Sequence, residues 1–218
     1  MPNEQELSEL AAQLRQPHGE KGIEVASMMN ETNKKMTRHA IDLLKIGPRE
    51  NVLELGHGNC GHLSYLLHQQ KDSTYYGLEM AELMTKEAQR INRDFIDCGR
   101  ASFHLYDGVN IPFSTDYFDK IFTVNTIYFW TEPTALFVEL YRVTKPNGIV
   151  NITFAQRDFM EKLPFTPFGF ELYDTNKVIS LAEQSAFKIS DVQSLHEQIK
   201  SKTGDLVTRE FTTVTLSK

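Results

Sequence analysis

Glycines and acidic residues follow two apolar segments in the middle of the chain, and these residue types suit a nucleoside that carries a charged tail. The first set is Glu54, Gly56 and Gly58, in the sequence ELGHGNCG. The two glycines permit a tight turn and let the backbone approach a ligand closely, while Glu54 can offset a ligand ammonium. Glu79 follows the next apolar segment, and its two carboxylate oxygens can accept from both hydroxyls of a ribose.

Two further segment ends carry the same kind of residue. Asp107 can accept a hydrogen bond from an adenine amino group, and the Asn125 carbonyl can accept from an ammonium. Met80 and Gly108 adjoin these acids and complete the predicted cofactor-binding set. An acid at a strand end is often only a turn former or a helix cap, and Asp107 alone fits that interpretation equally well. The recurrence at four successive segment ends favours binding.

No catalytic residue can be assigned from the sequence. His57 lies inside the glycine turn and equally suits a cap or a solvent-facing position, and His18 lies in a segment that could fold over a cofactor. Tyr128 and Trp130 could line a pocket for a second substrate, or could belong to the core.

The hydrophobic pattern predicts which elements position these residues. Helical periodicity covers residues 4–14 and 24–44, and afterwards short apolar runs alternate with helical stretches, which is typical of β-α units around a parallel sheet. We expect strands at residues 52–55, 74–78, 101–106, 118–125 and 148–155, and helices at 62–69, 81–97, 134–143 and 176–185. Two more strands, 187–195 and 209–216, are predicted to be antiparallel, because the ten residues 197–206 in the connection contain no obvious crossover helix. Gly204 and Asp205 are the turn signal there.

The predicted fold is therefore α/β, a Rossmann-like doubly wound seven-stranded sheet with an antiparallel C-terminal strand pair. Residues 1–48 are expected to form an N-terminal helical lid, and residues 49–218 the cofactor-binding domain. In such sheets ligands bind at the carboxyl ends of the strands, where the strand order reverses.

A dinucleotide site is the main rival interpretation, because Gly56, Gly58 and Gly61 fit its fingerprint and Glu79 lies near the expected distance. Three observations argue against an NAD-binding oxidoreductase. Glu54 would lie beside a pyrophosphate, some fifty residues of helical sequence precede the turn, and the chain ends in a β-pair where a dehydrogenase would carry a catalytic domain.

The segment 52–58 (VLELGHG) resembles the first motif of the class I S-adenosylmethionine-dependent methyltransferases. Residues 111–113 (IPF), 117–121 (YFDKI) and 140–148 (LYRVTKPNG) are similar to later motifs of the subgroup that includes the ubiquinone and menaquinone biosynthesis enzymes. The resemblance implies a seven-stranded sheet in which Gly56, Gly58, Glu79, Asp107 and Asn125 surround S-adenosylmethionine. Cys60 replaces a glycine that is frequent in the family, which leaves the role of Gly61 open.

The function implied is methyl transfer to an unidentified small-molecule acceptor by direct in-line displacement. Alignment of the reactants and exclusion of water would supply most of the acceleration, and a base helps only if the acceptor must lose a proton. The alternative is an S-adenosylmethionine-binding sensor or partner subunit without transferase activity.

The segment 157–173 is the strongest candidate for contacting the acceptor. It is rich in aromatic residues: Phe159, Phe165, Phe168, Phe170 and Tyr173. Such a segment could be a lid over an apolar or aromatic acceptor, a satellite core, or a dimer contact.

Composition restricts the partners. The net charge is −6, and the short basic cluster Lys34, Lys35, Arg38 and His39 is typical of a solvated helix face, so nucleic acid is not expected as a partner. The two cysteines have no paired spacing, which predicts neither a disulfide framework nor a metal site. A polar N-terminus and the lack of a long apolar run predict a cytoplasmic protein without a membrane span. A homodimer is left open.

Overall fold

The computed structural model describes residues 2–200 and 206–218, and within these residues seven strands form one sheet. In chain order they are β1 (Asn51–Leu55), β2 (Thr74–Glu79), β3 (Ala101–Leu105), β4 (Phe118–Val124), β5 (Thr144–Ala155), β6 (Lys188–Lys200) and β7 (Leu206–Ser217). Their spatial order is β3-β2-β1-β4-β5-β7-β6. Strands β1 to β5 pair in parallel, and β7 pairs antiparallel with both β5 and β6. The predicted fold class is confirmed.

Helices surround this sheet. They are α1 (Glu4–Arg15), α2 (Gly19–Leu44), α3 (Leu63–Gln69), α4 (Glu82–Ile91), α5 (Arg93–Asp97), α6 (Pro133–Val143), α7 (Arg157–Met160) and α8 (Thr175–Glu183), with a 3₁₀ turn at Ile127–Phe129. Helix α1 begins at a capping box, in which the Asn3 side chain accepts from the Glu6 backbone and Glu6 accepts from the Asn3 backbone. No helix among the described residues combines the length and hydrophobicity that crossing a bilayer requires.

The single helix predicted at 81–97 is two helices that meet at Asn92. The buried Asn92 amide donates to the Cys60 carbonyl over 3.1 Å and to the Ala88 carbonyl over 2.9 Å. An asparagine that bonds neighbouring backbone groups competes with helix continuation. The break therefore fastens α4 to the glycine turn.

Strand β1 has both faces covered, as is typical of a strand inside a parallel sheet. Leu53 and Leu55 pack in a cluster with α6 and α8, whereas Val52 packs on the opposite face with α2 and α3. Side chains alternate along a strand, so Glu54 shares the face of Val52. The cluster around Val52 also contains Ala40, Ile41 and Leu44 of α2. The second half of α2 thus belongs to the core of the sheet, and the division at residue 48 stays a prediction.

The C-terminal β-pair is longer than predicted, because residues 197–200 and 206 were expected to lie between the strands and belong to them. Main-chain pairing extends from Leu195 opposite Phe211 to Lys200 opposite Leu206. The apolar alternation stops near Leu195, yet pairing continues because Glu197 and Arg209, which are opposite each other, form a buried ion pair of 2.7 Å. The predicted turn at Gly204 and Asp205 lies outside the described residues.

Arg209 joins this hairpin to α2. Its guanidinium donates to the Thr32 carbonyl over 2.6 Å and to Asn33 Oδ1 over 3.1 Å, in addition to Glu197. The side chains of Arg209 and Glu197 are only 6% and 5% exposed. Removing one partner of such a pair leaves an uncompensated buried charge, which typically costs roughly 3–5 kcal/mol.

We therefore predict that Arg209→Met lowers the free energy of unfolding by about 3–5 kcal/mol in urea denaturation. The double variant Arg209→Met/Glu197→Met should recover much of this loss, since no charge is left buried. Arg90→Met, which removes an exposed partner of Glu87, is the control and should leave the midpoint nearly unchanged. Equal destabilisation by the single and double variants would contradict this account.

Candidate functional site

A cleft lies at the carboxyl ends of β1, β2 and β4, where the strand order reverses, and α1 and α2 cover it. The parallel register places the ends of β1 and β2 side by side, with Leu55 opposite Leu78. The strand side of the cleft is lined by Glu54, Gly56, His57, Gly58, Asn59, His62, Glu79, Met80, Gly108, Asn125, Thr126, Phe129 and Trp130. The helical side is lined by Leu14, Arg15, Pro17, Ala26, Met29, Asn30, Asn33 and Thr37. The structure thus gathers the predicted binding set around one cleft, with the exception of Asp107.

Glu79 fastens the end of β2 to the glycine turn. Its Oε2 accepts from the Gly58 backbone over 3.0 Å, and its Oε1 accepts from the backbones of Met80 and Ala81 over 2.8 and 3.0 Å. Each carboxylate oxygen has two lone pairs. Glu79 is therefore fixed in direction while it keeps acceptor capacity toward the cleft.

Asp107 forms a turn, which is the alternative to ligand binding that its position in the sequence allowed. Its Oδ1 accepts from the backbones of Val109 and Asn110, and its Oδ2 accepts from the Asn110 amide. These hydrogen bonds, led by that from the Asn110 side chain, lower the pKa of Asp107. The exposed carboxylate shapes a turn, and its neighbour Gly108 reaches the cleft instead. Asp107 as an adenine ligand stays a prediction.

Asn125 lies at the end of β4 in a left-handed conformation, with φ of 57°. Its Oδ1 accepts from the Tyr128 hydroxyl over 3.0 Å, and its amide donates to Asn33 Oδ1 over 3.0 Å. Because Asn33 also accepts from Arg209, the C-terminal hairpin, α2 and the end of β4 are joined by hydrogen bonds. Asn33 was missed in the sequence, since no local pattern indicates a partner 92 residues away.

The glycines of the turn have separate roles. Gly56 has φ of 69°, and a Cβ there would overlap the Thr126 side chain, whereas a Cβ on Gly58, with φ of 55°, would meet only open space. Gly61 lets α2 approach, because a Cβ at this position would lie 2.7 Å from the Asn30 amide nitrogen. Cys60, which stands at the frequent glycine position, is buried with φ of 50°.

Glu54 is the centre of a buried network beneath the turn. It is 2% exposed, and its Oε2 accepts from the Tyr75 hydroxyl over 2.5 Å and contacts His62 Nε2 over 2.8 Å. Cys60 Sγ donates to the Tyr75 hydroxyl over 3.2 Å. Glu54 was predicted to offset a ligand ammonium, and in the structure it already offsets an imidazole of the protein. Tyr75 and His62 were missed because their separation from Glu54 has no motif spacing.

The donor atoms of Glu54, Cys60 and His62 lie within 4.8 Å of one another, a distance that a metal-ligand set would also have. The hydrogen bonds of this network account for the same distances. We therefore assign the cluster to a hydrogen-bonded network.

Two histidines of the turn have opposite electrostatic surroundings. Burial opposes the charged form of His62, but the Glu54 carboxylate and the Cys60 sulfur together outweigh it and raise the pKa of His62 well above its ordinary value. Burial lowers the pKa of His57, despite the nearby carboxylates of Glu79 and Glu54. His57 neither caps a helix nor faces solvent: its Nδ1 pairs with the Gly58 carbonyl, and its ring packs on Phe103.

The remaining candidates for chemistry are divided between the cleft and the core. His18 pairs with Gln13 at the junction of α1 and α2 and does not line the cleft. The Tyr128 hydroxyl is buried and bonds Asn125 and the Ala155 carbonyl. Trp130 lines the cleft, and its indole donates to Thr126 Oγ1 over 3.1 Å.

The aromatic segment 157–173 packs behind the cleft wall. The Phe170 ring lies 4.6 Å from the Phe129 ring and also contacts Phe165, while Tyr173 is buried in the core. Its aromatic residues do not line the cleft. Of the three interpretations left open, satellite packing describes what is observed, and the lid over an acceptor stays a prediction. Its influence on the cleft passes through Phe129.

The central region is similar to known methyltransferases. Residues 53–152 match a family model described as a methyltransferase domain. The uncharacterized methyltransferase YdaC of Bacillus subtilis is 26% identical over 132 residues, which cover 60% of this chain and 70% of the relative.

Solved structures show the same fold at low sequence identity. Geranyl diphosphate C-methyltransferase of Streptomyces coelicolor A3(2), solved with Mg²⁺, geranyl diphosphate and S-adenosyl-L-homocysteine, has a TM-score of 0.70 and 10% identity, over 94% of this chain and 86% of that chain. A complex of the Haloferax volcanii Trm112 methyltransferase activator with a methyltransferase has a TM-score of 0.70 and 16% identity, over 87% of this chain and 92% of that chain.

The Glu54–His62 pair predicts how stability depends on pH. A histidine whose folded pKa is raised contributes its full stabilisation below its unfolded pKa of about 6.5, and loses it as the pH rises through the folded value. We expect His62→Gln to cost roughly 1–3 kcal/mol at pH 6, and this cost should shrink as the pH rises above neutrality. Urea denaturation of both proteins between pH 6 and 9 measures it. The contribution of His57 to the pH dependence of stability is the same in both proteins and cancels. A cost of His62→Gln that grew with pH would contradict the raised pKa of His62.

Proposed function

We propose that this protein, whose residues 53–152 match a methyltransferase domain, is an S-adenosylmethionine-dependent methyltransferase that acts on a small molecule. The observation that carries the proposal is the cleft itself. At the reversal of strand order, a glycine turn and the carboxylate of Glu79 are joined by one hydrogen bond and face the same space.

The residues present fit this cofactor. Gly58 opens onto unoccupied space and gives the amino-acid tail room beside the backbone. Glu79 is placed to accept from the ribose hydroxyls, and Met80 and Gly108 lie where the adenine would bind, next to the turn that Asp107 shapes. The ammonium is assigned to the Asn125 carbonyl and to Glu54 Oε1. Glu54 uses its other oxygen, Oε2, for the contacts with His62 and Tyr75. The cofactor, when bound, supplies an electrophilic methyl group to an in-line nucleophile.

The apolar part of the cleft wall suits an apolar or aromatic acceptor. Besides Met80, which is placed beside the adenine, it is formed by the side chains of Leu14, Met29, Met84, Phe129 and Trp130. The protein's contribution there is to hold the acceptor in line and to exclude water. The resemblance to quinone-biosynthesis enzymes would agree with such an acceptor, and that subgroup stays a prediction, as do the cytoplasmic location and a homodimer.

Calorimetry tests the cofactor assignment. We expect S-adenosylmethionine and S-adenosylhomocysteine to bind, and Glu79→Ala to weaken both by about 10- to 100-fold, because a hydrogen bond to a charged group contributes roughly 1.5–3 kcal/mol. Glu82→Ala, which removes an exposed acid three residues away, should not change the affinity. Asp107→Ala should weaken binding through its turn or through the adenine. Unchanged affinity in both Glu79 and Asp107 variants, or binding of NAD instead, would overturn the assignment.

Transfer of a labelled methyl group tests the acceptor wall. In a screen of apolar and aromatic small molecules, Phe129→Leu should reduce transfer several-fold without changing the affinity for S-adenosylmethionine. Phe168→Leu is the matched control, since Phe168 is absent from the cleft wall. Cofactor binding without transfer to any acceptor would favour a sensor or partner subunit. Equal transfer by the Phe129 variant would contradict the placement of the acceptor.

A further inference from the structure

His62 is a partly accessible cationic side chain at the inner end of the cleft. It directly precedes α3, its side chain is 12% exposed, and it lines the cleft together with Gly58 and Asn59. On its protein side, Nε2 pairs with the Glu54 carboxylate over 2.8 Å, and the ring packs edge-on against Phe122. The ring is thereby held in one orientation.

The surroundings favour the protonated form of this ring, because they raise the pKa of His62. A carboxylate at hydrogen-bond distance favours the charged form of an imidazole, and Glu54 is itself held by the Tyr75 hydroxyl. The other titratable groups beside the ring are Cys60 and His57, both of which are buried. An imidazolium donates from both nitrogens. Nε2 is directed at Glu54, and the Cys60 sulfur also interacts with the ring. Because His62 lines the cleft, the open side of the ring can meet an acceptor on a ligand.

The cleft offers little other positive charge. Among the described residues that line it, one is a Lys or Arg, namely Arg15, which is exposed at the end of α1. His57 also lines the cleft, and burial lowers its pKa. Around His62 the wall carries neutral donors, namely the side chains of Asn30, Thr37 and Asn59. A cation among neutral donors is a site for a carboxylate.

We propose that His62 binds the carboxylate of the cofactor's methionine tail. This inference rests on the proposed function, under which the tail lies beside Gly58. It gives Glu54 a positioning role in addition to its proposed ammonium contact: Oε2 holds the imidazole and favours its charged form, and the imidazole contacts the ligand carboxylate. It also explains why Tyr75 places a hydroxyl in a hydrophobic cluster, because that hydroxyl fixes the Glu54 carboxylate.

A comparison of two ligands isolates the carboxylate. Decarboxylated S-adenosylmethionine keeps the adenosine, the sulfonium and the ammonium, and lacks only the carboxylate. Calorimetry with the full-length protein should show that His62→Gln weakens S-adenosylmethionine by about tenfold to a hundredfold, while the affinity for the decarboxylated cofactor stays within twofold. The preference of the wild type for the carboxylated ligand should therefore almost vanish.

His68→Gln is the matched control, since it makes the same change on an exposed position of α3. If His62→Gln does not fold, Glu54→Gln/His62→Gln is compared with Glu54→Gln, because the lost ammonium contact is then common to both proteins and the neutral pair leaves no buried charge. An equal loss for both ligands, or no loss for either, would overturn the inference. Failure of the wild type to bind either ligand would instead refute the proposed function.

Discussion

Parallel pairing of β1 with β2 and β4 is the constraint on which the site depends. With β1 hydrogen-bonded on both sides, the chain segments that leave these strands emerge at one edge of the sheet. The backbone of Gly56 donates to the Leu78 carbonyl over 2.8 Å, so the turn after β1 is fastened to β2 before any side chain contributes. The Gly58–Glu79 hydrogen bond then follows from this register.

A second constraint is that charge brought under the turn has to be compensated. Side-chain alternation places Glu54 on the face of β1 that α2 and α3 cover. A lone carboxylate there would carry a large desolvation penalty. His62, Tyr75 and Cys60 meet this requirement within one network. The same arrangement that stabilises Glu54 delivers a cation to the cleft surface, so that the folding requirement and the proposed ligand contact share one side chain.

The sequence predicted the parts of the structure that depend on local pattern. Apolar periodicity and residue type predicted the strand positions, the glycine turn and the acids at the strand ends. The short connection predicted that the C-terminal strand pair is antiparallel. The structure confirms the fold class that these patterns predicted. The break at Asn92 could not be predicted, because its cause is a hydrogen bond to Cys60, 32 residues earlier in the chain.

Long-range polar contacts account for the remaining differences. Asn33 and Arg209 help to form the cleft through bonds that span 92 and 176 residues, and no spacing rule indicates such partners. The strands of the C-terminal pair were predicted too short, because the buried Glu197–Arg209 pair replaces the apolar alternation that the prediction required. Asp107 could be either a ligand or a turn former in the sequence, and only the coordinates show its carboxylate bonded to the following backbone.

A crystal structure of the protein with S-adenosylhomocysteine tests the central claim most directly. We predict that the adenosine lies in the cleft between the glycine turn and α2, with both ribose hydroxyls within about 3 Å of the Glu79 carboxylate. A nucleoside bound elsewhere on the sheet, or one in the cleft whose ribose does not contact Glu79, would contradict it.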